Sequence, residues 1–160
     1  MVVTDRIPHT TAITNALVRT DFADTFATTN HSQTMEEVFR LVFGAIPPWL
    51  KTLLRVRQSI AHWFGSAVDV TQRQELQFKE GAALGFFKIL HIAEKEILMG
   101  VDDTHLNVRI SLYDSAEPLN NIKFTTMVQC NNFKGRLYMF LIKPFHKMAA
   151  KAMLSRVYRK

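Results

Sequence analysis

The sequence has little of several features that would point directly to a function. It contains one cysteine, Cys130, in 160 residues, which excludes an intramolecular disulfide and a zinc site made of paired cysteines. We interpret Cys130 as a buried thiol on a strand. No apolar run reaches the roughly 18 residues that a membrane-spanning helix requires. The N-terminal segment carries the charged residues Asp5 and Arg6 and lacks the apolar core of a secretory signal. We therefore predict no secretory signal and expect a cytoplasmic location.

Acidic residues are missing from the C-terminal part of the chain. From Lys134 to Lys160 there are eight basic residues and no acidic one. The whole chain has 20 basic and 14 acidic residues, which leaves 12 basic against 14 acidic residues before Lys134, a net charge of −2. The basic character of the protein therefore belongs to one C-terminal element. Nucleic acid is not the favoured partner, because the other side of that element is needed for the core.

Catalytic and metal-binding patterns are also missing. None of the six histidines has a second ligand at helical spacing, and no nucleophile and base can be paired from spacing alone. We interpret His62 and His146 as boundary residues of helices, and residues 102–105 as a solvated hairpin turn. Arg109 is assigned to the wet, convex face of its strand. The sequence therefore predicts no catalytic residue, no metal ligand and no cofactor.

Periodicity divides the chain into an arm and one domain. Residues 1–20 have no regular spacing of apolar residues and are predicted to be a flexible N-terminal arm. Residues 21–160 are predicted to form a single domain. The alternation in DFADTFATTN predicts a first strand. Two short helices should follow, MEEVFRLVFGA after an N-cap at Ser32 or Thr34, and PPWLKTLLRVRQSIAHWFG ending at Gly65.

The second half of the domain should be an antiparallel meander and a long helix. FFKILHI and EILMGV read as two strands around a tight connection, and HLNVRISLY and IKFTTMVQCN as two more. A helix of about 20 residues with Pro144 inside it should close the chain. Because an apolar sheet face must be buried, the strands should curl around this helix. The prediction is an α+β helix-grip fold, with a curved antiparallel sheet wrapped around the C-terminal helix.

The predicted C-terminal helix has an apolar arc and a basic stripe. Arg136, Lys143, Lys147 and Lys151 form the basic stripe, with Phe140 and Leu154 interleaved and Met139 at its edge. Either other elements of the domain cover the apolar residues near the stripe, or the stripe docks on an anionic membrane surface, a partner or a second copy in a homodimer. Nine apolar residues share the arc that should lie on the sheet: Leu137, Tyr138, Leu141, Ile142, Phe145, Met148, Ala149, Ala152 and Met153.

Three blocks of the sequence resemble a known family: PPWLKTLLRVRQSIAHWFG, MGVDDTHLNVRISL and NNFKGRLYMFLIKPFHKMAAKAML. They are similar to the signature blocks of an uncharacterised bacterial family of the START-like, birch-pollen-allergen-like (SRPBCC) superfamily. That family also occurs fused C-terminal to NmrA-like short-chain dehydrogenase domains. The resemblance covers Asp21 to Leu154 and implies a hydrophobic cavity between sheet and helix. This chain has no GxGxxG motif after a strand, so a dehydrogenase would be a separate partner.

The resemblance leaves several functions open, because this fold hosts binding proteins and enzymes alike. The leading hypothesis is non-catalytic binding or carrying of an apolar, lipid-like or polyketide-like molecule. One alternative is a cyclase-type or hydrolase-type enzyme that uses the same cavity. Another is docking to a membrane surface or partner through the basic helix. The residues expected to line the cavity are Phe26, Trp49, Leu53, Leu106, Val108, Ile110, Phe124, Tyr138, Leu141, Phe145 and Met148.

Overall fold

The protein folds as an α+β chain built on an antiparallel sheet. The computed structural model describes residues 1–45, 76–85 and 87–158, and seven positions between 48 and 62. Within those ranges the helices and strands, in chain order, are β1 (Val3–Thr4), α1 (Thr11–Thr14), β2 (Phe22–Thr28), α2 (Met35–Phe43), β3 (Ala83–Leu84), β4 (Phe87–Ile92), β5 (Glu96–Asp102), β6 (Leu106–Asp114), β7 (Ile122–Cys130) and α3 (Phe133–Leu154).

The seven strands form one sheet in the order β1-β2-β7-β6-β5-β4-β3, and every neighbouring pair is antiparallel. The predicted first strand is β2, and the predicted meander is β4 to β7, so these predictions are confirmed. β2 pairs with β7 along its whole length, from Phe22 opposite Val128 to Thr28 opposite Ile122. This pairing brings the start of the predicted domain beside the last strand.

Alternation along the strands sorts the side chains onto two faces. One face carries the apolar core, and both α2 and α3 pack on it. The ring of Phe43 in α2, for example, lies 6.2 Å from the ring of Phe124 in β7. Cys130 is buried on this face, as predicted, and burial raises the pKa of its thiol. The opposite face is polar, and there the hydroxyl oxygens of Thr25 and Thr125 lie 2.9 Å apart.

Residues 1–20 contain two elements that the sequence did not predict: β1 extends the edge of the sheet, and the N-cap of α1 contacts the polar face. β1 pairs with the edge of β2. The Lys123 ammonium donates a hydrogen bond to the Asp5 carboxylate at 3.0 Å. The Thr10 hydroxyl donates to Glu96 Oε1 at 2.9 Å. These polar contacts give the first 20 residues a defined position where the sequence suggested a loose arm. The division of the chain into an arm and one domain stays a prediction.

α2 confirms the first predicted helix, and Thr34 is its N-cap. The Thr34 hydroxyl accepts a hydrogen bond from the Glu37 N–H, and the Glu37 carboxylate accepts one from the Thr34 N–H, which is a capping box. The helix ends at Gly44, as expected. For the second predicted helix, the seven described positions from Pro48 to His62 are helical. The rest of that prediction lies outside the described residues.

α3 confirms the long C-terminal helix, with 22 residues and Pro144 inside it. Its N-cap is Asn132, whose Oδ1 accepts a hydrogen bond from the Gly135 N–H at 3.0 Å. A Cβ on Gly135 would overlap the carbonyl oxygen of His105 in the β5–β6 turn. The glycine therefore allows the first turn of α3 to lie directly against the sheet.

The face of α3 that lies on the sheet is rotated by about a quarter of a turn from the predicted arc. Leu137, Leu141, Phe145 and Met148 were expected to face the sheet, but they are 40%, 45%, 44% and 56% exposed. Apolar residues occupy both sides of this helix, so their pattern does not select one side. On the buried side, Gly135 and Ala150 leave room for the backbone to approach the strands. The buried residues of α3 are Gly135, Tyr138, Met139, Ala150 and Leu154.

The contact between Asp5 and Lys123 makes the docking of the N-terminal segment sensitive to pH. Burial alone would raise the pKa of Asp5, but hydrogen bonds from Lys123 and from the Arg6 N–H outweigh it and hold that pKa below its ordinary value of 3.8. A carboxyl whose pKa is lower in the folded state stabilises the fold above the unfolded pKa. That contribution is lost as the pH falls through the folded pKa.

We therefore expect Asp5→Asn to lower the free energy of unfolding by about 1 kcal/mol near neutral pH. The difference from the wild type should shrink towards zero in acid, because Asp5 is then protonated. Urea unfolding between about pH 7 and about pH 2 measures both effects. Glu94→Gln, at an exposed position between β4 and β5, is the matched control and should change little. A difference that stays constant down to the acid end contradicts the assignment.

Candidate functional site

A row of polar side chains crosses the apolar space between the sheet and α3. The strand register places Ile110 opposite Thr126 and Thr126 opposite Asp24, so the last two are cross-strand neighbours on the face towards α3. His146 of α3 reaches Asp24 from the helix side, with its Nε2 atom 3.2 Å from Asp24 Oδ1. We call Asp24, Thr126 and His146 the polar row.

The polar row lies between two separate apolar clusters. On one side the next inward-facing pair is Phe26 opposite Phe124, and both rings belong to the larger cluster, under α2 and the end of α3. On the other side the next pair is Phe22 opposite Val128, and both belong to the smaller cluster, under the start of α3. The core is therefore divided at the position where Asp24 and Thr126 stand.

Two atoms of the polar row are buried and have no hydrogen-bond partner among the described residues. They are Asp24 Oδ2 and Thr126 Oγ1. The Asp24 side chain is 10% exposed, and Thr126 is 2% exposed. A buried polar group without a partner costs about 1–3 kcal/mol of stability. The polar row is thus an unfavourable feature of the fold unless another molecule bonds to it.

The imidazole of His146 is held from two directions. Asp24 contacts its Nε2 atom, and the Phe22 ring meets it edge to face, with the ring centroids 6.2 Å apart. The Lys143 ammonium lies 5.2 Å from the centroid of the same Phe22 ring, at the outer edge of the interface. A carboxylate that fixes one imidazole nitrogen leaves the other nitrogen able to exchange a proton or to bind a polar group. The arrangement can therefore bind a hydrogen-bonding group or assist proton transfer.

The structure separates the predicted cavity residues into two groups, and Leu53 lies outside the described residues. The first group is buried or half-buried in the sheet–α3 interface on either side of the polar row: Phe26, Leu106, Val108, Ile110, Phe124 and Tyr138. The second group is exposed: Trp49, Leu141, Phe145 and Met148. The basic stripe, Arg136, Lys143, Lys147 and Lys151, is exposed along α3.

Sequence reasoning missed the polar row. His146 was interpreted as a helix-boundary residue, but it lies inside α3 with its ring towards Asp24. The available signal was Asp24 itself, a charged residue in register with the apolar Phe22 and Phe26 on one side of the predicted strand. Arg109 does lie on the face away from α3, as predicted, but its side chain is only 14% exposed and not in open solvent. It donates a hydrogen bond to Asp102 at 2.7 Å. Among the described residues, no group of three His, Cys, Asp or Glu side chains could hold a metal ion.

Neighbouring threonines on opposite faces of β7 test the cost of the polar row. Thr126→Val removes a buried hydroxyl without a described partner, so we expect the free energy of unfolding to stay equal or rise by about 1 kcal/mol. Thr125→Val is the matched control. It leaves the buried Thr25 hydroxyl without its 2.9 Å contact, so we expect a loss of about 1–2 kcal/mol. Urea unfolding of ligand-free protein measures both, and a larger loss for Thr126→Val than for Thr125→Val contradicts the assignment.

Comparison with known proteins gives one match. The model of a family described as protein of unknown function, DUF2867, matches residues 16–153. No curated protein and no solved structure matches the chain. The matched range includes the strands β2 to β7 and all three residues of the polar row, and it extends over far more than half of the chain. The chain therefore belongs to the DUF2867 family of proteins of unknown function.

Proposed function

We propose that this protein binds and carries a largely apolar small molecule that bears a hydroxyl group, between the sheet and α3. The observation that carries this proposal is the pair of buried atoms, Asp24 Oδ2 and Thr126 Oγ1, without described partners on an otherwise apolar face. A single ligand hydroxyl can satisfy both atoms. It would donate its proton to the carboxylate and accept a hydrogen bond from the threonine hydroxyl.

The surroundings of the polar row fit the rest of such a ligand. Small-molecule sites are lined mainly by apolar side chains, with a few polar groups that fix the orientation of the ligand. The flanking pairs, Phe26 with Phe124 and Phe22 with Val128, would supply apolar walls on both sides of the hydroxyl. A lipid-like or polyketide-like molecule has this combination of an apolar body and an isolated hydroxyl.

We also propose that the fold is a START-like helix-grip of the SRPBCC superfamily. The antiparallel sheet and the long C-terminal helix packed on its apolar face support this assignment. In such folds the space between sheet and helix is the place for an apolar ligand. The resemblance to modules fused to NmrA-like dehydrogenase domains makes a separate dehydrogenase a candidate partner, which would act on the carried molecule.

A second candidate function is catalysis of the cyclase or hydrolase type in the same place. The contact between His146 Nε2 and Asp24 Oδ1 favours it. A carboxylate holds an imidazole in one orientation and stabilises its protonated form, so that the other nitrogen can take a proton from a substrate or return one. In this case the bound molecule would leave chemically changed.

Ligand extraction tests the carrier proposal. Protein purified without added ligand and extracted with organic solvent should yield a hydroxylated apolar molecule that mass spectrometry identifies. With that molecule in hand, Asp24→Asn should weaken its binding by about 10-fold or more, because a hydrogen bond to a charged group is lost. Thr126→Val should weaken binding by about 5-fold. Thr125→Val is the control on the opposite face and should bind as the wild type does.

Two outcomes contradict parts of this proposal. An extract without any such molecule, together with unchanged stability of the protein when hydroxylated lipids are added, contradicts the carrier function. Conversion of the extracted molecule by the wild type, lost in His146→Ala while binding persists, selects the enzyme in place of the carrier.

A further inference from the structure

α3 has a second apolar face, on the side away from the sheet. Residues three or four positions apart share one side of a helix. In α3, exposed apolar residues recur at this spacing from Phe133 to Met148. We call them the outer apolar face: Phe133, Leu137, Phe140, Leu141, Phe145 and Met148, which are between 40% and 76% exposed. At 1.5 Å per residue the outer apolar face is about 22 Å long. A continuous apolar stripe of this length on a protein surface indicates a docking surface.

A row of positive charge runs along one edge of the outer apolar face. On the helical wheel Arg136, Lys143, Lys147 and Lys151 lie at this edge, and all four are exposed. Arg136 is also 3.8 Å from Asp21, beside the first turns of the helix. The sequence contains no acidic residue after Lys134, so no carboxylate of α3 opposes this charge.

We propose that the outer apolar face docks on an anionic lipid surface, with α3 lying in the plane of the interface. Phenylalanine, leucine and methionine side chains would enter the boundary between headgroups and acyl chains, and the lysine ammonium groups would reach the lipid phosphates. α3 would lie on the membrane without crossing it. In the part of the chain that the structure describes, no helix is long and apolar enough to span a bilayer.

Charge argues for lipid and against a second copy of the chain. In a two-fold symmetric dimer the same patch meets itself. Both partners would then bring the row from Arg136 to Lys151 to one interface, and α3 supplies no acidic residue to compensate. Anionic headgroups, in contrast, attract each lysine or arginine near the surface. This inference does not depend on the proposed ligand, because the polar row lies on the opposite side of α3.

Vesicle sedimentation tests the proposal with vesicles of phosphatidylcholine, alone or with about 30% phosphatidylserine. The wild type should bind the anionic vesicles, and more weakly as salt is added. Arg136→Gln with Lys147→Gln should weaken that binding about 30-fold, since each basic residue contributes about a factor of five. Lys88→Gln with Lys95→Gln, at exposed positions in β4 and the turn after it, is the matched control and should bind as the wild type does.

Phe140, which is 76% exposed, tests the apolar part of the contact. Phe140→Ser should weaken binding to the anionic vesicles about 10-fold or more. Leu119→Ser changes a residue that is 70% exposed in the β6–β7 loop, and it should have no effect. All of these variants should unfold at the same urea concentration as the wild type and should retain any extracted ligand. Failure of the ligand proposal would therefore be distinguishable from failure of this one.

Three results would overturn the lipid assignment. The first is a wild type that does not sediment with anionic vesicles. The second is a dimer, detected by light scattering, that Phe140→Ser dissociates, because a second copy then occupies the face. The third is earlier urea unfolding of Phe140→Ser, because another part of the same chain then covers the face.

Discussion

Burial of the apolar sheet face under α3 is the constraint on which the rest of the structure depends. The sheet presents phenylalanine, isoleucine, leucine and valine side chains along its central strands, and α2 and α3 cover them. Two small residues of α3, Gly135 and Ala150, are buried against the sheet side and allow close approach near both ends of the helix. Between these two points, His146 and Asp24 meet across the interface.

Two buried atoms of the polar row have no partner among the described residues, and that is the main argument for its having a function. Apolar side chains at positions 24, 126 and 146 together would join the two clusters into one core without the buried polar atoms of the polar row. Natural proteins keep destabilising groups at binding and catalytic sites, where the same groups bond to a ligand.

α3 has three chemically distinct features: a sheet side with a polar row, an outer apolar face and a basic edge. The proposed ligand and the proposed lipid surface would contact opposite sides of one helix.

Local patterns in the sequence were sufficient to predict α2, α3 and five of the strands. Each of these elements is marked by a regular spacing of apolar residues, by a helix-capping residue or by a turn at its end. β1, α1 and the two-residue β3 were missed. The first two depend on tertiary contacts such as those of Asp5 with Lys123 and of Thr10 with Glu96. The buried side of α3 was predicted wrongly because both of its sides are apolar. The pair of Asp24 and His146 lies 122 positions apart in the sequence, so no local pattern could join them.

The central claim is that the polar row serves a ligand and does not hold the fold together. The most direct test replaces both partners with apolar residues of similar size, as Asp24→Leu with His146→Phe, and measures the free energy of unfolding of the ligand-free protein. We expect a value equal to that of the wild type or up to about 4 kcal/mol higher, because apolar residues often replace a buried polar pair without loss. A loss of about 3 kcal/mol or more would show that the polar row is structural and would contradict the account.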